Sequence, residues 1–243
     1  SKDLLFSLPL PVSSGTTSID ENIGKVRNQG IELDLNIDVI RNKDLKWSLG
    51  FNATHFTNKI LQLPDSRKEI IDGTKKMTEG RSIYDYWLRQ YKGVDPKDGM
   101  PLYTFDNDKT KEHVFDPIDC RIINGDSLTT NQAKAKYDYE GSPIPKIYGG
   151  FNTNFSFKGF ELAAYFTYQL GGTSYDGVYG SLMAMDNMGG ALHIDAMNKS
   201  WKKEGDITDV PRLDVGQSTS IGASSTRWLI SSNALMLKSL SFG

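Results

Sequence analysis

The sequence predicts an all-β chain of antiparallel, up-and-down strands, the wall of a transmembrane β-barrel with long, partly structured loops on one rim. Three observations predict it. Apolar and polar residues alternate strictly over runs of about the length that crosses a bilayer as a tilted strand. Connections between these runs are by turns very short and very long. Breakers, 23 Gly and 9 Pro in 243 residues, are spread along the chain and disfavour long helices.

The first strand, near 28–40, sets Ile31, Leu33, Leu35, Ile37 and Val39 against Glu32, Asp34, Asn36 and Asp38. After the polar turn Arg41-Asn42-Lys43-Asp44, a second strand near 45–57 sets Leu45, Trp47, Leu49, Phe51 and Ala53 against Lys46, Ser48, Gly50, Asn52 and Thr54. A second hairpin spans 146–157 and 160–171. Gly149, Phe151, Thr153, Phe155 and Phe157 alternate with Tyr148, Gly150, Asn152, Asn154 and Ser156, and Lys158-Gly159 supplies a tight turn. The return strand places Phe160, Leu162, Ala164, Phe166, Tyr168 and Leu170 on its apolar side. A fifth strand is expected over 233–243, where adjacent Leu235, Met236 and Leu237 leave its facing open. Trp47, Phe157 and Phe160 lie at strand ends, the position of an interfacial aromatic girdle.

Between the strands run loops near 58–145 and 172–231, and the second is expected to hold a helix over 187–203. Brief turns on one rim and large loops on the other are the habit of an outer-membrane barrel. No linker or charge block divides the chain, so 1–243 reads as one partial barrel unit.

Net charge −2 offers no basic excess for nucleic acid. The single Cys120 excludes an internal disulfide, and three scattered His give no metal-ligand spacing. Neither metal nor other cofactor is expected. Residues 1–18 lack the basic start and unbroken apolar run of a signal peptide, so an earlier segment is expected upstream. No apolar run reaches the roughly 20 residues of a spanning helix.

Asp95-Pro96-Lys97-Asp98-Gly99 and Asp106-Asn107-Asp108 bring carboxylates close together, but the first is turn chemistry and the second lacks the central Gly and distal Glu of a calcium loop. No nucleophile sits beside a His in a catalytic pattern, so no enzyme is expected. The loop aromatics Tyr84, Tyr86, Trp87 and Tyr91 are the candidate substrate-binding residues, as a stacking platform for a sugar ring or peptide; loop packing competes for the same rings.

Five ordered blocks carry a resemblance: VRNQGIELDLN at 26–36, GRSIYDYWLRQYKGVDPKDGMPLY at 80–103, GSPIPKIYGGFNTNFSFKGFELAAYFTYQLGG at 141–172, SWKKEGDITDVPRL at 200–213 and STRWLISSNALMLKSLSFG at 225–243. Together they resemble the SusC/RagA-type TonB-dependent outer-membrane receptors. The resemblance implies a barrel of 22 strands, an N-terminal plug domain, a SusD-like lipoprotein partner that delivers oligosaccharide or peptide, and energy from the TonB complex. Plug and TonB-contacting segment are missing from the stretch, which is therefore expected to be a C-terminal barrel fragment, since five strands cannot close a barrel. A passive porin and a soluble secreted β-sandwich binding module are the competing readings.

Overall fold

The computed structural model describes residues 5–9, 12–16, 18–22, 24–64, 68–108, 113–184 and 190–243. It divides into two compact units, one of residues 1–85, 141–174 and 231–243, the other of residues 86–140 and 175–230. Where the sequence reads as a single unit, the segments expected as loops thus gather enough apolar side chains of their own to bury cores.

The first unit is built on a five-stranded antiparallel sheet: β1 (Lys25–Arg41), β2 (Leu45–Gln62), β3 (Ile147–Phe157), β4 (Phe160–Leu170) and β5 (Ala234–Phe242). The strands lie in chain order, each hydrogen-bonded to the next. Local chemistry closes the hairpins. The Asn42 side chain accepts from the backbone N–H of Leu45 at 2.8 Å. Lys158 and Gly159 both adopt positive φ, 48° and 94°, which gives the strand-matched twist of a type I′ turn. The Lys158 N–H donates to Asp44 O, tying one turn to the other.

Besides a shift at Leu61 beyond the other strands, two bulges correct the simple alternation. Asp38 pairs with Ser48 but Ile40, not Val39, pairs with Trp47, so Val39 is the extra residue and leaves the apolar row. In β5, Tyr165 pairs with Ser239 and Phe166 with Leu237, which makes Lys238 extra. That insertion settles the facing: Leu235, Leu237, Leu240 and Phe242 share the apolar side, opposite Tyr168, Phe166, Ala164 and Leu162, while Met236 joins the polar side opposite Thr167.

β1 and β2 run past the other strands at the long-loop end. There Val26 and Ile60 turn onto a small core with Leu63, Ile70 and Met77, the last two from a hairpin of Glu69–Asp72 and Lys75–Thr78.

The second unit holds a four-stranded sheet in the order Cys120–Ile123, Asp126–Thr129, Pro101–Thr104, Tyr91–Val94, and a separate pair of Trp87–Arg89 with Tyr137–Tyr139. Tyr103, Ala135 and Ala223 form one core; Met183, Ala196, Val210 and Trp228 form another. Trp228 lies against Gly180, where an added Cβ would come within 3.2 Å of the indole. Two short helices frame that second core, α1 (Gly177–Met183) and α2 (Ile194–Asn198). The expected helix over 187–203 shrinks to α2, because the backbone leaves helical geometry beyond Lys199; residues 187–189 lie outside the described residues.

Candidate functional site

The sheet presents two chemically opposite faces. On one, register lines the side chains up in rows: Ile31–His55, Leu33–Ala53–Gly149–Tyr168–Leu235, Leu35–Phe51–Phe151–Phe166–Leu237, Ile37–Leu49–Thr153–Ala164–Leu240, Ile40–Trp47–Phe155–Leu162–Phe242, and Leu45–Phe157–Phe160. Ile147 and Leu170 pair at the level of the first row. This face is uncovered: Ile31 and Phe242 are each 75% exposed, and Leu35, Phe51, Leu237 and Leu240 are exposed with them. From Ile147 to Phe157 the apolar rows run roughly 33 Å along the strand. At a barrel strand's tilt that is a band roughly 25 Å tall.

Polar atoms within the band are paired inside the sheet. Trp47 Nε1 donates to Thr153 Oγ1 at 3.0 Å. At Gly149 an added Cβ would stand 2.0 Å from Asn52 O, so only glycine fits. Tyr168, directly opposite, covers the gap, stacks on Phe51 at 5.9 Å and donates its hydroxyl to Asn52 O at 3.0 Å. Aromatic rings gather at the short-turn end, Trp47, Phe155, Phe157, Phe160 and Phe242, with Phe160 and Phe242 in contact.

The opposite face carries Glu32, Asp34, Asn36 and Asp38 on β1, with Ser48, Asn52, Asn152, Asn154, Glu161, Thr167 and Gln169 across the sheet. Gly50 makes room for the amides of Asn36 and Asn152, both of which an added Cβ would meet.

The aromatic candidates have different partners. Tyr84 belongs to the sheet unit, with Lys75 Nζ over its ring. The other three lie in the second unit. Tyr86 is buried, its hydroxyl accepting the Tyr175 N–H and its ring near that of Tyr175. Tyr91 donates to Asp209 O at 3.0 Å, packs edge-on against Tyr103 and lies under Arg227. Burial pushes the Tyr91 phenol up to about 12, against a lowering by Arg227. Trp87 alone shares a cluster with other half-buried rings, stacked on Tyr137 and edge-on to Tyr139 at 4.8 Å. Tyr137 and Tyr139 escaped the sequence reading; their i, i+2 spacing, which puts both on one strand face, was the available signal.

Arg121 answers the question of the Asp95–Gly99 carboxylates. Its Nε meets Asp95 at 2.8 Å and its Nη2 pairs with Asp98, while the second oxygens of both acids accept the N–H groups of Lys97 and Met100. A guanidinium thus occupies the place a cation would take, and no group of three or more potential metal ligands occurs among the described residues. Nearby, burial pulls the Asp119 carboxyl up, but donors from Lys134, Asn131 and Cys120 outweigh it and hold it below its ordinary value. Cys120 is buried, and burial pushes its thiol up, away from the thiolate a nucleophile needs. His193 is spent capping α2, accepting the Asp195 N–H.

No family model matches the chain. Among curated proteins it is 30% identical, over its whole length, to a TonB-dependent receptor of Formosa agariphila, of which it covers 24%. It is 25% identical over 66% of its length to the TonB-dependent receptor SusC of Bacteroides thetaiotaomicron, covering 16% of it. A solved structure of the RagAB peptide transporter superposes on 99% of the chain with TM-score 0.77 at 23% identity, using 25% of that chain. The chain belongs to the SusC/RagA-type TonB-dependent receptors. It spans about a quarter of the length of the curated relatives it matches over nearly its whole extent. The antiparallel up-and-down sheet is accordingly a stretch of this receptor family's fold, and the relatives are named as receptors rather than enzymes.

Proposed function

We propose that this stretch of a SusC/RagA-type receptor is one partial barrel unit, a section of outer-membrane wall with its extracellular loops. In this reading the whole protein imports oligosaccharide or peptide actively, with energy from the TonB complex and delivery by a SusD-like lipoprotein. The uncovered apolar band carries the membrane part of the proposal. A face of this size left in water would aggregate, whereas in lipid it is the expected surface of a barrel, with its height matching the apolar belt. Backbone pairing along the sheet and the internal partners of Trp47 and Tyr168 meet the demand that polar groups be satisfied within the protein where water is absent. The acidic and amide-rich opposite face suits a hydrated lumen or a plug.

For substrate contact, Tyr84, Tyr86, Trp87 and Tyr91 remain the proposed loop residues. Trp87 is foremost, since Tyr137 and Tyr139 widen its apolar surface, whereas Tyr86 is buried and the Tyr91 hydroxyl is engaged. Fractionation of cells expressing the full-length protein tests the membrane assignment: recovery in the detergent-extracted outer-membrane fraction is expected, and recovery as a soluble protein refutes it. Uptake by the Trp87→Ala receptor, normalised to its surface abundance, tests the loop assignment; unchanged uptake of every oligosaccharide and peptide that the parent imports removes Trp87 from the site.

A further inference from the structure

Just beyond the apolar band, on the same outward face, the sheet gathers positive charge. Arg27 lies directly opposite Lys59 on the neighbouring strand, both exposed, and like charges so placed repel. Arg81 and Lys146 line the same recess, with Asp85 as its one acid among the described residues. Among those residues neither Arg27, Lys59 nor Lys146 belongs to an ion pair, so the repulsion is not relieved from within the described chain.

The position of the recess indicates what relieves it. Along β1 the outward side chains run Ile31, Gln29, Arg27, so Arg27 stands roughly 13 Å along the strand from the last apolar row. Lys146 adjoins Ile147, which lies at that last row. Headgroups occupy the several ångströms immediately outside the hydrocarbon, and long basic side chains bend back into that layer. This is also the long-loop rim, which faces the cell exterior in a barrel of this kind. From Ile147, the residue after Lys146, an apolar hollow opens across the sheet, lined by Phe51, Ile147, Phe151, Tyr168, Leu170 and Leu235.

We propose that Arg27, Lys59, Arg81 and Lys146 bind the phosphate group of an outer-leaflet lipid whose acyl chain lies in the hollow beneath. The proposal rests on the membrane reading above. Cations alone would accept any phosphate; the hollow continuous with the band selects a ligand that joins phosphate to hydrocarbon.

Native mass spectrometry of the full-length, delipidated receptor tests this, with bisphosphorylated lipid A, its dephosphorylated form and inorganic phosphate as probes. The parent is expected to retain bisphosphorylated lipid A and at least tenfold less of the dephosphorylated lipid, and the Arg27→Gln/Lys59→Gln receptor at least tenfold less of the bisphosphorylated form than the parent. Lys43→Gln, at the short-turn end, should retain as much as the parent. Equal retention by the double variant, equal retention of the dephosphorylated lipid, or displacement by an equal concentration of inorganic phosphate overturns the proposal. Arg81→Gln/Lys146→Gln gives a second reading should the first pair fail to fold. Heat-modifiable gel migration and outer-membrane fractionation of the same preparations separate the failures: a folded, membrane-resident parent that holds no lipid sinks this proposal alone, whereas a parent absent from the membrane sinks the membrane reading.

Discussion

The two units handle apolar surface in opposite ways. In the sheet unit, Ile31, Leu237 and Phe242 stand exposed on a flat face, while the loop unit puts Trp228 at 2% exposure and Tyr103 at 0% into ordinary cores. Residue types are much the same; the placement differs because the proposed solvents differ. A side chain facing lipid gains nothing from further burial, whereas one in a loop facing water gains roughly 25 cal/mol for each Å² it hides. The comparison teaches that exposure is a defect in one half of the molecule and the functional surface in the other.

The largest break in that comparison should come from the loop core. Trp228→Ala removes an indole that fills the space beside Gly180 and donates to Ala223 O at 2.9 Å, which should cost about 3–5 kcal/mol. Limited proteolysis of intact cells should then cut within 175–230 while receptor abundance in the outer membrane holds. Loss of abundance in step with cleavage would mean the sheet depends on the loop unit for its stability.

Leu35→Lys strikes the middle of the apolar band and should cost about 2–4 kcal/mol, lowering outer-membrane assembly. Asn154→Lys, on the opposite face, should change assembly by no more than about 0.5 kcal/mol. Equal tolerance of the two lysines, read as heat-modifiable receptor per cell, would erase the distinction between the faces.

Tyr168→Phe keeps the ring over Gly149 but leaves Asn52 O without its hydroxyl donor, a loss of about 1–2 kcal/mol in the denaturant stability of the purified receptor. The turn gives an effect of similar size. Gly159→Val forces a β-branched side chain to φ near 94°, which should cost about 1–2 kcal/mol and slow refolding into detergent while the assembled receptor keeps its fold.

Strict alternation made the sheet readable: runs read at 28–40, 45–57, 146–157 and 160–171 correspond to strands at 25–41, 45–62, 147–157 and 160–170. Period two reports a face but not an insertion, so the bulges at Val39 and Lys238 were invisible, and with them the facing of β5. Inside the loops the signals were present but short. Gly73-Thr74 and Asn124-Gly125 close two-residue hairpins with glycine at positive φ, and each hairpin strand is only 4 residues long. The aromatic run 84–91 suggested a platform because composition shows rings without showing their neighbours. Tyr86 meets Tyr175, and Tyr91 reaches Asp209, partners 89 and 118 residues away in the chain that no local pattern reveals. Likewise, the carboxylates of Asp95 and Asp98 look open until Arg121 arrives from a strand 23 residues beyond Asp98.

Spin labelling of the full-length receptor in liposomes tests the division of the sheet most directly, with every native cysteine, Cys120 among them, replaced by serine and single cysteines at 33, 34, 35, 36 and 37 in turn. Labels at 33, 35 and 37 should be relaxed by dissolved oxygen, which concentrates in hydrocarbon, and those at 34 and 36 by a water-soluble nickel complex, giving a period of two. Nickel access at all five positions, with no alternation, would contradict the account.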